Sequence, residues 1–157
     1  MKFFLHFALF LVVNFAALGL GSLFMGDAVG GKWYQSLNKA PWTPPGWVFG
    51  VAWSFVMFML SLFMAFVVQK HKAWNIGKPV ILLFWIQWIL NVAWNYIFFN
   101  QQLILPGLLE ITLLLFVVIA LFYSGYGEFG VKSFLLLPYI IWMLIAVSLN
   151  AYIFMFN

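Results

Sequence analysis

The chain has no cysteine, no arginine and only two histidines among its 157 residues, and its charged side chains are seven lysines and three acids. Without cysteine there are no disulfides, no thiolate nucleophile and no thiolate metal site. Without arginine there is no bidentate clamp for phosphate, which argues against nucleic-acid binding. His6 and His71 have no second His, Asp or Glu spaced to share a metal with them, so no metal is expected. No Ser/His/Asp triad, carboxylate pair or glycine-rich phosphate loop is present, so conventional hydrolytic or acid–base catalysis lacks its parts.

What fills the space is apolar. The sequence is 67% hydrophobic, 22% aromatic and 6% charged, with a mean hydropathy of +1.09. Ten charged side chains could not cover a soluble domain of this length, so the sequence predicts an integral membrane protein. A bilayer core of about 30 Å needs about 20 apolar residues as a helix. Five segments meet that length, at 3–24, 47–68, 79–100, 104–124 and 132–156, and predict an all-α five-helix transmembrane bundle in one domain spanning 1–157. The first segment is too long for a signal peptide and lacks a small-residue cleavage site, so it reads as a retained span. No internal repeat is visible, which weighs against inverted-repeat transporters, and alternation of period two is missing, which weighs against a β-barrel.

Lys2, Lys70, Lys72, Lys78 and Lys132 fall on one side of a five-span arrangement, and Lys32 and Lys39 on the other. The positive-inside rule then places the N-terminus in the cytoplasm.

The opposite side carries the most distinctive stretch, from Trp33 to Trp47. It holds three Trp, one Tyr and three Pro between two apolar spans. A plain connecting loop needs only polarity and flexibility. Proline removes conformations and Trp adds apolar area with a single N–H, so this loop predicts a stiff lid over an apolar site.

Nine Trp also need a reason. Interfacial belts account for Trp42, Trp47 and Trp74. They do not account for Trp88 and Trp142, near the middle of their spans, while Trp53 and Trp94 lie between these cases. On the third span Trp88, Asn91 and Asn95 fall within about 60° at 3.6 residues per turn, flanked by Trp94. Two amides in a bilayer must face inward. On the fifth span Tyr139, Trp142, Ala146 and Asn150 share a face, with Ala146 leaving room beside the indole; on the second, Phe49, Trp53, Met57 and Ser61 recur every four residues. These faces read either as a small-molecule pocket, with aromatic walls and few orienting polar groups, or as a core filled with indoles. Glu110, about two turns into the fourth span, is a functional candidate or a side chain that reaches the interface. Ala17 and Gly21 form a small-xxx-small pair suited to close helix packing, within the chain or in a homodimer.

The elements Trp33-Tyr34, Leu37, Lys39 and Pro41-Trp42-Thr43-Pro44-Pro45, followed by Trp53, Asn91-x-x-Trp94-Asn95, Pro138-Tyr139-x-x-Trp142 and Leu149-Asn150, resemble the TspO/translocator protein family. Its members are also called tryptophan-rich sensory proteins or peripheral-type benzodiazepine receptors. The likeness covers nearly the whole chain. It implies a lidded pocket that takes porphyrins such as protoporphyrin IX and synthetic flat hydrophobic ligands, with no obligatory cofactor. The family's pocket positions fall on Tyr34, Pro44, Trp53, Asn91, Trp94, Trp142 and Ala146. The helix faces read above add Met57, Trp88, Asn95, Glu110, Tyr139 and Asn150 as supporting candidates. Indoles matching Trp53 and Trp142 are those implicated in light-dependent porphyrin breakdown. The resemblance therefore implies a receptor or sensor, with photochemical degradation or transport as alternatives, acting as a homodimer in a bacterial cell membrane. The cholesterol pattern of animal members needs a basic residue after the tyrosine of the last helix. Here Tyr152 is followed by Ile153-Phe154-Met155-Phe156-Asn157, so cholesterol is not an expected partner.

Overall fold

The computed structural model of the chain describes residues 2–70 and 78–157, so His71, Lys72 and Trp74 of the basic connection lie outside the described residues. The long helices are α1 (Lys2–Met25), α3 (Gly46–Lys70), α4 (Lys78–Asn95), α5 (Ile104–Phe129) and α6 (Leu137–Phe156). A single-turn helix α2 (Lys32–Ser36) lies in the lid, a π-helical turn (Tyr96–Asn100) continues α4, and a 3-10 segment (Gly130–Leu136) joins α5 to α6. In a bilayer every backbone N–H and C=O must be bonded within its own segment, and helices achieve this.

Four uninterrupted helical runs are long and apolar enough to cross a membrane, and the last, Ile104–Phe156, has 53 residues. Straight, that run would measure about 80 Å, over twice a bilayer core. It folds back at Gly130, whose φ of +55° lies in the left-handed region that favours glycine. Phe134 after the bend packs against Phe122 and Tyr126 before it, at ring-centroid separations of 5.7 and 6.0 Å. The fold thus makes five crossings. α5 runs to Phe129, beyond its expected end at 124, because Gly125 and Gly127 stay helical. Glycine lowers helix propensity by only about 1 kcal/mol, and Gly125 is used for close approach. A methyl group there would meet Phe63 Cζ at 2.7 Å and Ser133 Oγ at 3.0 Å. Gly125→Ala is therefore expected to cost about 1–3 kcal/mol through overpacking. A thermal melt in detergent would read this as a lower Tm, and an unchanged Tm would show that Phe63 moves aside freely.

The five helices close into a ring in the order α1, α3, α6, α5, α4, with α4 returning to α1. α1 buries only Phe10, Asn14, Ala17 and Gly21, a narrow stripe facing α3 and α4. Asn14 Nδ2 donates to Ser61 Oγ at 2.8 Å, and Gly21 allows Asn95 so close that an added Cβ would lie 2.7 Å from its Nδ2. The Ala17–Gly21 pair therefore serves packing inside the chain. The outward sides of the helices carry large apolar side chains such as Leu23, Val51, Ile89, Phe116 and Ile141, as lipid contact requires.

The Phe3 ring lies 4.9 Å from Phe66, and Lys70 Nζ donates to the Glu128 carbonyl at 2.7 Å, so Lys2, Lys70 and Lys132 share one end of the bundle. At the other end Asn38 of the lid bonds to Asn157, near Lys32 and Lys39. The two described ends of the chain lie at opposite ends of the bundle, as an odd number of crossings demands. The protein is an integral membrane protein.

Candidate functional site

The site is built from α3, α4 and α6 and roofed by the lid. At its base Trp53 meets Tyr139 at 6.0 Å and Trp142 at 6.3 Å between ring centroids, both edge to face, and Phe49 meets Trp142 at 5.4 Å. Edge-to-face packing sets the positive rim of one ring against the negative face of the next. Met57 is fully buried in the core, and the half-buried Trp53 of the same helix packs against that core. Trp142 and Ala146 are both 7% exposed, and Asn150, one turn further, bonds its own helix through Nδ2 to the Ala146 carbonyl at 2.9 Å.

The upper part is organised by the π turn. Phe98 and Phe99 lie in this turn and are both buried. Trp94 stacks on Phe98 at 5.3 Å with planes 8° apart and meets Phe99 edge-on at 5.2 Å. Tyr34 of the lid packs on Phe99 at 5.3 Å, and Trp33 on Phe98 at 5.5 Å. Trp94 thus joins the lid cluster to the main core. Burial pushes the Tyr34 hydroxyl above its ordinary range, and Lys39 Nζ sits 4.6 Å from the centre of its ring. Pro44 is half-buried just before α3, where its fixed φ favours a non-helical approach to the first turn.

A polar thread crosses between α4 and α6. Asn91 Nδ2 donates to the Tyr139 hydroxyl at 3.1 Å, and that hydroxyl donates to Gln87 Oε1 at 3.0 Å. Gln87, 1% exposed, was not among the expected site residues. Its signal was present: it precedes Asn91 by one turn, so amides recur at 87, 91 and 95. Phe98 and Phe99 gave no such signal, since nothing local announces a π turn.

Two expected members belong elsewhere. Trp88 donates its indole N–H to the Val13 carbonyl of α1 at 2.9 Å, and Asn95 lies against Gly21 while donating to the Asn91 carbonyl at 3.1 Å. Both fix α1 to α4. The inward arc of α4 is wide enough to face two neighbours: Trp88 and Asn95 meet α1, while Gln87 and Asn91 bond to Tyr139 of α6. Glu110 does not extend to the interface; it is 9% exposed on the buried stripe of α5, alongside Gly107, Ile111 and Leu114.

Several buried polar atoms around this centre have no hydrogen-bond partner among the described residues: Trp94 Nε1, Trp142 Nε1, Gln87 Nε2, Asn150 Oδ1 and both Glu110 oxygens. Unpaired polar atoms in a low-dielectric interior are costly, of order 1–3 kcal/mol each. Two hollows mark the outside of the bundle. An apolar one of about 360 Å³ lies along α1 and α4, lined by Phe24, Trp88, Ile89, Val92, Ala93 and Tyr96, and one of about 450 Å³ is lined by Gly26, Asp27 and Val29–Gly31. The central rings, in contrast, touch one another.

Residues 8–156 match the TspO/MBR family. A "Tryptophan-rich protein TspO" of Archaeoglobus fulgidus is 33% identical over 147 residues, covering 94% of this chain and 91% of that protein. "Protein CrtK" of Rhodobacter capsulatus is 31% identical over 155 residues, covering 96% and 92%. A "Tryptophan-rich sensory protein" of Cereibacter sphaeroides is 30% identical over 145 residues, covering 92% and 86%. With the match running through all five crossings, the chain belongs to the TspO/MBR family.

Proposed function

We propose that this protein is a membrane receptor or sensor for flat hydrophobic molecules, with porphyrins of the protoporphyrin IX type as the leading ligand class. The observation that carries the reading is the meeting of Trp53, Trp142 and Tyr139 beneath a lid whose Tyr34 closes on Phe99, with the Trp142 and Trp94 indole N–H groups left unpaired. Large flat rings supply stacking area, and buried donors without acceptors suit a guest that brings carbonyl or carboxylate oxygens. The sensory designation of the Cereibacter sphaeroides relative supports the same role. Tyr34, Pro44, Trp53, Asn91, Trp94, Trp142 and Ala146 line the proposed path from lid to floor.

The lysine distribution supports an orientation with Lys2, Lys70 and Lys132 in the cytoplasm and the lid outside. A bacterial cell membrane is the setting we propose. A second reading, photo-oxidative porphyrin breakdown, draws on the edge contact of two oxidisable indoles, Trp53 and Trp142, at 6.3 Å. Light and dioxygen would then supply the oxidising power that no residue here provides.

The test is a titration of purified protein in detergent with protoporphyrin IX, following Trp fluorescence in the dark and then under light. Saturable dark quenching that weakens in Trp53→Phe and Trp142→Phe is expected. A light- and oxygen-dependent product lost in the same variants would add the photochemical role. Linear quenching identical in all three proteins would reduce the cluster to packing.

A further inference from the structure

The helical ring is not closed equally all round. α3 and α6 make the sparsest contact of any neighbouring pair in it. Yet both helices carry the aromatic site, since Phe49 and Trp53 of α3 meet Trp142 of α6 across this seam. Near the lid the seam is flanked by a strap. Residues 38–45 are non-helical, lead directly into α3 at Gly46, and are fastened to the outer half of α6. Asn38 bonds to Asn157 and to the Phe156 carbonyl, and the Trp42 indole donates to Ser148 Oγ at 3.2 Å while its ring meets Tyr152 at 5.4 Å.

The side from which Trp42 grips α6 is informative. At 3.6 residues per turn Ser148 lies opposite the face that carries Tyr139, Ala146 and Asn150. It shares its side with Ile141 and Met155, which are 57% and 66% exposed. The latch is therefore on the lipid face of the helix. The strap suits that setting, because Pro41, Pro44 and Pro45 have no N–H to leave unpaired against lipid. There is also room where it joins α3: a Cβ on Gly46 or Gly50 would meet no atom of the described residues within 4 Å. Gly50 lies on the same helix face as Trp53, one turn further in. The roof is closed more heavily. There Trp33 and Tyr34 pack on Phe98 and Phe99, which in turn pack on Trp94. At the side one half-exposed indole holds the strap between its two ends.

We propose that the strap is a side gate: flat apolar guests dissolved in the bilayer reach the aromatic site between α3 and α6, with Trp42 as the latch, and do not pass the roof. The inference rests on the receptor reading above and adds the route by which guests arrive. Apolar molecules concentrate in lipid rather than water, so a door on the lipid face opens where they are. The latch is one hydrogen bond and one ring contact, so removing it should speed passage about tenfold in both directions. Affinity should hold, because the latch touches no residue of the site.

The experiment follows Trp quenching by protoporphyrin IX in a stopped-flow mixer, with the full-length protein in phosphatidylcholine vesicles. Trp42→Ala is expected to raise the association and dissociation rates together, about tenfold, at unchanged Kd. Trp33→Ala, which loosens the roof, should change them far less. The chain has no cysteine, so Trp42→Cys with Ser148→Cys can be bridged selectively by a short bismaleimide across the space the indole leaves. Bridging should slow both rates about tenfold or more relative to the same protein unbridged, a comparison that holds whatever Trp42→Ala does to folding. Equal rates with and without the bridge, or a larger acceleration in Trp33→Ala than in Trp42→Ala, would put the entrance at the roof and overturn the side gate while the receptor reading stands. Without saturable quenching in wild type, the receptor reading falls and the route with it.

Discussion

Trp142→Ala should weaken protoporphyrin IX binding about 100-fold. Losing one stacking platform removes about 1–3 kcal/mol by analogy with bases stacked on aromatic side chains, and losing the indole N–H removes a donor that has no hydrogen-bond partner among the described residues. Trp142→Phe keeps a ring but not the donor, and should cost about tenfold, the size of one hydrogen bond in a dry site. The two variants also separate binding from folding. Trp142 contacts Phe49 and Trp53, so its truncation to alanine opens a void worth about 3–5 kcal/mol of stability. Phenylalanine refills most of that space and should melt close to wild type. Dissociation constants from dark fluorescence quenching, set beside Tm values without ligand, would decide the matter. Equal affinities in wild type and Trp142→Phe would mean that the N–H meets no ligand oxygen.

Asn157→Ala should loosen the lid by about tenfold. Asn38 N donates to Asn157 Oδ1 at 2.8 Å, and Asn157 Nδ2 returns a bond to the Asn38 carbonyl at 3.2 Å. Asn38 Nδ2 adds a third bond, to the Phe156 carbonyl at 3.1 Å. The substitution deletes the first two, each worth about 0.5–1.5 kcal/mol net, and their sum sets the expected gain in open lid. A second fastening is the Trp42 indole, which donates to Ser148 Oγ at 3.2 Å while its ring meets Tyr152 at 5.4 Å. Trp42→Phe keeps an aromatic ring there, so it should loosen the lid less than Asn157→Ala, and the double variant more than either. Amide hydrogen exchange across residues 33–44 would read the opening directly, without any ligand. Exchange unchanged in Asn157→Ala would show that the ring contacts of Tyr34 and Trp33 with Phe98 and Phe99 hold the lid by themselves.

Much of this protein could be read from consecutive residues. Apolar run length set the spans, and four of the five begin within two residues of their expected starts, at Lys2, Gly46, Lys78 and Ile104. Helical periodicity alone put Tyr139, Trp142, Ala146 and Asn150 on one buried face. Both signals are local, because a helix in a bilayer satisfies its own backbone and its side chains follow a fixed angle per residue. The exceptions arose where the neighbour mattered. Periodicity placed Trp88, Asn91 and Asn95 on one arc, and only the seating of α1 at Gly21 set Trp88 and Asn95 against that helix. The glycines after 124 read as a break, yet Gly125 stays helical and serves close packing, since Phe63 and Ser133 occupy the space a side chain would need. Phe98 and Phe99 are buried against the lid in a π turn that no local pattern announces. Glu110 had two equal readings in the sequence, interface or interior, and the packing of α5 in the ring chose the interior. Sequence by itself determined the membrane, the helices and the aromatic stock of the site, since each depends on the hydrophobicity and periodicity of adjacent residues. Tertiary structure decided which of those side chains meet and which polar atoms stay unpaired, since that depends on where five helices touch.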